Sequence, residues 1–223
     1  MKTLIVIFAH STVNDTVRRH WPWYLRGDCD ILGVGRTNTR CEWPTERLIH
    51  SIAVGIEGYA SGDNHILRFL ETLTALLTDE RYKAYGAFCL VEYDGIFIRP
   101  VPPIKPGTIC AKLAGHRDGH FRGNAYYHTP WYLDRIMAGR ILKYGFAMLK
   151  AGLIEGGFID RWLGLMVDLY DIPIADTSTY TQNTIDTPAK IEQARTAIEA
   201  GAWYIHGIKT ESQLINVTAG IVA

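Results

Sequence analysis

The sequence predicts an α/β fold in one domain, with a mixed central sheet flanked by helices, and three observations carry that expectation. Apolar runs of β-forming residues at 3–9, 30–34 and 87–91 are too short to span a membrane and read as buried strands. Stretches with helical spacing of apolar residues alternate with them, the clearest beginning at Asp63. A chain of 223 residues is long enough for one domain with a substantial core and short for two.

Composition narrows the function classes. Hydrophobic content of 48% and charged content of 21% are ordinary for a globular protein and speak against disorder. A formal net charge of zero with pI about 7.1 gives no global electrostatic case for nucleic acid or an anionic membrane. Cys29, Cys41, Cys89 and Cys110 follow no C-x-x-C pattern, so neither a zinc site nor a disulfide framework is expected, and a reduced, cytoplasmic setting fits better. The start, MKTLIVIFAHS, has an apolar run only from Leu4 to Ala9, too short for a signal-peptide core, and no other window approaches membrane-spanning length.

Taken in order, residues 3–9 form the first strand and stop at His10-Ser11-Thr12, where polar groups can meet a ligand beyond the strand's carboxyl edge. Asn14 or Asp15 caps a helix running toward Arg26 and interrupted at Pro22. Residues 30–34 form a second strand, followed by a polar loop in which Arg36 either touches a phosphate or ribose or is simply solvated. The stretch 48–56 is apolar enough for the core, but 41–62 assigns itself to no element. Asp63 caps a helix with Ile66, Leu67, Phe69, Leu70, Leu73, Leu76 and Leu77 on one side. Arg68, in its first turns, either meets an anionic ligand or lies on the surface.

Beyond the third strand, four prolines between 100 and 106 make a rigid connection, and 109–113 is a short strand. The loop 115–124 is rich in glycine and polar groups, as loops that cover substrates often are. Residues 125–128 read as strand, and Pro130 opens a helix over 131–150. Gly156-Gly157 separates it from a helix over 159–170; 173–175 is a strand, 176–187 a Thr-rich loop, and Pro188 starts a helix to about Ala200. A β-type run from Ala202 ends in His206-Gly207-Ile208-Lys209.

Two motifs carry chemistry. In an extended chain residues i and i+2 share a face, so Glu92 and Asp94 point into one cleft at the end of the third strand while Tyr93 points away. Two carboxylates so placed repel unless solvent or a cation lies between them, and their oxygens suit a hard divalent ion. The rival reading makes Asp94-Gly95 the turn of a charged hairpin. Late in the chain, His206 can ligate an Mn²⁺-type ion, Gly207 admits close backbone approach, and Lys209 can neutralise a phosphate. Alone, His206 is more often structural; with Glu92 and Asp94 it completes the set that holds a metal diphosphate. Glu155 and Asp160 bracket a helix start and are caps, acceptor-binding groups or a general base.

With its βα-alternating start, a buried strand ending in an acidic x-D motif, a carboxylate at a helix start and a late His-Gly-x-Lys, the chain resembles the GT-A glycosyltransferases, whose sheet is Rossmann-like. The late motif is similar to that of the glycogenin and galactosyltransferase group, and the compact size to the small capsid-glycan glycosyltransferase domains of large algal viruses. The likeness runs from Thr3 to about Lys209, with one departure: Glu92 stands where the family most often has Asp. The resemblance implies a single domain over 1–223, with a donor-binding half of about 1–100 and an acceptor-binding half beyond it.

It also implies Mn²⁺ or Mg²⁺ on Asp94 and His206 with Glu92 assisting, and Lys209 on the β-phosphate of a UDP-sugar. Ala9, His10 and Ser11 would line the uridine pocket, with Arg36, Arg68, Tyr93 and Gly207 also on the donor side. The partners would be the nucleotide sugar and a glycan or glycoprotein acceptor, with no nucleic acid and no membrane span. Asp160 or Glu155 would be the base of an inverting enzyme, and a retaining one would need none.

Three alternatives stand beside this. A sugar-phosphate nucleotidyltransferase would want a glycine-rich loop after the first strand, which FAHSTVND lacks. A two-metal phosphoesterase would recruit His116, Asp118 and His120. A non-catalytic carbohydrate-binding module would use the twelve tyrosines and six tryptophans as sugar platforms.

Overall fold

A computed structural model of the chain describes residues 1–8, 30–36, 48–54, 63–92, 94–116, 125–153, 159–175, 178–182 and 184–219. Its centre is a seven-stranded sheet in the order β3-β2-β1-β4-β7-β6-β8. The strands are β1 (Thr3–Phe8), β2 (Asp30–Arg36), β3 (Leu48–Val54), β4 (Ala87–Glu92), β6 (Ile109–His116), β7 (Ala125–Asp134) and β8 (Ile174–Ala175). Of these β7 alone runs against the rest, which makes the sheet mixed. A second sheet, β5-β10-β9, joins Gly95–Phe97, Tyr204–His206 and Thr179–Thr181.

Among the described residues five helices cover the sheet: α1 (Asp63–Thr78), α2 (Arg135–Lys150), α3 (Ile159–Tyr170), α4 (Pro188–Glu199) and α5 (Glu211–Thr218). Strand periodicity decides which helix packs where. Leu4, Val6 and Phe8 face one cluster with Phe69, Leu73, Met137, Ile141, Trp162 and Leu163 from α1, α2 and α3. Ile5 and Ile7 face the other, with Ala194, Ile198, Leu214 and Val217 of α4 and α5 and with Trp203, Tyr204 and Ile205 of the small sheet. Because β1 is buried on both faces, its sequence is a continuous apolar run.

The α/β class, the helices α1, α3 and α4 and the strands β1, β2 and β4 agree with the sequence reading. Three local expectations are corrected, and the unassigned stretch around residue 50 gains an element. The helix expected from Pro130 starts only at Arg135, because β7 continues to Asp134 and pairs through Leu133 and Tyr132 with Phe88 and Cys89 of β4. Pro130 lies where the β6–β7 register shifts between Cys110 and Lys112, and at such a bulge a strand tolerates a residue without an N–H. Asp134 then caps α2, its carboxylate accepting from Met137 N at 2.6 Å. The stretch around residue 50 is strand β3.

The Thr-rich loop contains β9. The hairpin reading of Asp94-Gly95 also falls: β5 pairs with β10, not with β4. The expected helix near residue 15 lies outside the described residues, and no described helix is long and apolar enough to cross a membrane.

Candidate metal centre

The order β3-β2-β1-β4 reverses direction at β1, so the crevice beyond the carboxyl ends of β1 and β4 is the expected place for a ligand. Register puts Phe8, the last residue of β1, beside Glu92, the last of β4. The chain then leaves the main sheet through Asp94 and becomes β5, and antiparallel pairing sets Gly95 opposite His206. Asp94 O accepts from Gly207 N at 3.2 Å and from Ile208 N at 2.9 Å, which ties the two motifs together by backbone, 112 or more residues apart in sequence. Side chains follow. His206 Nε2 lies 2.8 Å from Glu92 Oε2 and 3.1 Å from Asp94 Oδ1, and Lys209 Nζ pairs with Asp94 Oδ2.

Glycine permits this approach. A Cβ on Gly95 would stand 1.8 Å from the Tyr204 hydroxyl, and one on Gly207 would stand 2.3 Å from Gln182 O. Gly207 also has φ +101, a region that side chains avoid. The close backbone approach expected at Gly207 is therefore made to Gln182 of the chain itself.

The cluster is buried, with Asp94 1% and His206 3% exposed. Burial alone would push the His206 imidazolium to lose its proton, but the Asp94 carboxylate, with Glu92, outweighs it and His206 is pushed up to about 10. For Asp94, burial works toward protonation and is overcome by His206 and Lys209, which hold the carboxyl well below its ordinary range. Two carboxylates thus face an imidazolium and an ammonium.

The three donors fit a divalent ion. Glu92, Asp94 and His206 each offer one ligand atom, all within 4.8 Å of one another. Nε2 approaches both carboxylates, yet Asp94 Oδ1 and both His206 nitrogens are buried without an aligned hydrogen bond. Two carboxylate oxygens with one imidazole suit Mn²⁺ or Mg²⁺.

Next to this group stands a pair that the sequence only half revealed. The His128 ring lies 5.8 Å from the His206 ring, centre to centre, and His128 Nδ1 is 3.9 Å from Asp160 Oδ2. Asp160, from the first turn of α3, is where a catalytic carboxylate was expected. His128 was read only as part of a strand; its extension past the β4 pairing toward the carboxyl edge could have marked it. Burial lowers the His128 imidazole, opposed by Asp160, and burial raises the Asp160 carboxyl, opposed by His128.

Arg68 is not on the surface. It is 6% exposed, its guanidinium lies over the Phe8 ring at 5.4 Å, and Nη2 donates to Val34 O at the end of β2. Arg36 ends β2 on the carboxyl edge of the sheet, and His116 ends β6. The expected sites at Ala9, His10, Ser11, Tyr93, Asp118, His120 and Glu155 lie outside the described residues. No family model matches the chain, and no curated protein is similar to it.

Proposed function

We propose that the chain is a metal-dependent glycosyltransferase, moving a sugar from a UDP-sugar to a glycan or protein-linked acceptor. The observation that carries this reading is the convergence of Glu92, Asp94, His206 and Lys209 at the carboxyl edge of β4, contributed by two chain segments with no local reason to meet. Bound there, a divalent ion supplies electrostatic stabilisation to the negative charge of the departing diphosphate.

The chain's residues supply the rest. Asp94 and His206, both buried, would hold the ion together with the partly exposed Glu92, at a place where charges interact more strongly than in water. Lys209, with its side chain 40% exposed, reaches from the rim and neutralises the β-phosphate. In this reading Asp160, beside His128, receives the acceptor hydroxyl proton. The acceptor oxygen forms its bond to the anomeric carbon as the bond from that carbon to UDP breaks, and the electron pair leaves with UDP. This assignment gives inversion.

The test is release of UDP from a panel of UDP-sugars with Mn²⁺ and with EDTA. Asp94→Asn, nearly isosteric, is expected to fold and to lose metal-dependent UDP binding. Donor affinity equal to that of the wild type would overturn the reading. Among the described residues one three-donor group of this kind occurs, and the Asp118 and His120 that a two-metal phosphoesterase would recruit lie outside them.

A further inference from the structure

We infer that Lys209 makes the site selective for a divalent ion together with a diphosphate over the ion alone, by holding the ion's place on Asp94 until an anionic ligand draws it away. The inference rests on the reading of Glu92, Asp94 and His206 as ion ligands and adds a dependence between the two ligands.

The geometry gives the reason. Lys209 Nζ is against Oδ2 of a carboxylate whose side chain is 1% exposed, while the lysine side chain itself is 40% exposed. Its backbone is fixed: Lys209 N donates to Gln213 Oε1 at 2.6 Å, as Thr210 N does at 3.1 Å, within the capping box of α5. The root of the side chain is held, and its ammonium end can rotate toward solvent. An ion among the three donor atoms would place two positive charges beside that ammonium, and the repulsion weakens the lysine's hold on Asp94 as the ion arrives. A lone ion offers it no anionic replacement. A diphosphate bound with the ion does, since its oxygens accept the ammonium at the same rim.

Each ligand therefore strengthens the other, by the same factor in both directions. The site discriminates against free metal because its own cation competes, and against a free diphosphate because Lys209 remains on the carboxylate. A neutral residue at position 209 removes both the competition and the reward.

The experiment is titration of Mn²⁺ into the full-length chain by electron paramagnetic resonance of the free ion, with and without UDP. For the wild type, UDP is expected to tighten Mn²⁺ binding about tenfold, within the usual range of coupling between two ligands. K209M is expected to bind Mn²⁺ alone roughly tenfold tighter than the wild type and to lose most of the UDP effect. K209R, which keeps the charge, should restore wild-type behaviour; K209Q serves as the neutral variant if K209M does not fold. Unchanged Mn²⁺ affinity in the neutral variant, with the UDP effect intact, overturns the inference and leaves the glycosyltransferase reading standing. A wild type that takes up Mn²⁺ neither alone nor with UDP overturns both.

Discussion

His206 is a residue whose proton and whose proposed metal compete for one nitrogen. In the folded chain it is pushed up to about 10 from an ordinary 6.5; burial resists this, and the carboxylates of Asp94 and Glu92 prevail. A raised value means that the folded state holds the proton more tightly than the unfolded chain does. The resulting stabilisation is complete below pH 6.5 and is lost as pH rises through about 10. In EDTA, the gap in thermal midpoint between the wild type and His206→Gln should therefore narrow across that window. Ligation needs the neutral imidazole, so Mn²⁺ should stabilise the wild type progressively more over the same window, with a proton released on binding. Thermal melts on a pH series, with and without Mn²⁺, check both signs. At Gly207 a different constraint acts, for alanine would need φ +101 and would meet Gln182 O. Gly207→Ala is expected to lower unfolding stability by roughly 1–3 kcal/mol, read from urea melts.

Elements show where sequence patterns inform and where they stop. Helices α3 and α4 are legible because apolar spacing over twelve residues, and Pro188 at a first turn, are local signals. β1 and β4 are legible because burial on both faces leaves only apolar residues. Of the small sheet only β10 is legible, as the β-type run from Ala202; β5 and β9 are not, since three-residue strands carry almost no periodicity and β5 finds its partner in β10, more than a hundred residues later. For the same reason the acidic motif and the His-Gly-x-Lys motif could be named from sequence, whereas their backbone linkage through Asp94 O could not.

For Arg68 the surface alternative falls because helical position does not reveal what covers a side chain; the end of β2 and Phe8 do so here. At the start of α2, proline chemistry pointed to Pro130 while the governing signal was Asp134, whose carboxylate accepts from Met137 N and from Gly107 N, each at 2.6 Å. Losing both bonds in Asp134→Ala should cost about 2 kcal/mol, more than a simple cap, and Asp134→Asn should recover part of it in denaturant melts.

At the scale of the molecule, the sheet brings the groups assigned to the two sides of the proposed reaction to one edge. The donor-side groups come from the end of β4, from β5 and from β10, while His128 and Asp160 come from β7 and α3 on the other flank. β7 makes this possible by running against β4: its beginning, not its end, reaches the carboxyl edge, so His128 stands near residues that a parallel strand would have kept away. Such an arrangement separates binding from proton transfer, and the separation can be measured. If Asp160 takes the acceptor proton, Asp160→Asn removes the base without removing any group that holds the ion or the diphosphate. Turnover should then fall by about 10² or more, the usual contribution of a general base, while Mn²⁺ and UDP affinities stay within about twofold. His128→Asn should lower turnover less, because His128 Nδ1 stands 3.9 Å from the Asp160 carboxylate and that carboxylate keeps its place on α3 through Arg161 N at 3.0 Å. Steady-state rates with a saturating UDP-sugar, set beside UDP titrations of the same variants, decide the matter: equal losses in binding and turnover would make Asp160 part of the donor site, and undiminished turnover would remove it from the chemistry and favour transfer with retention.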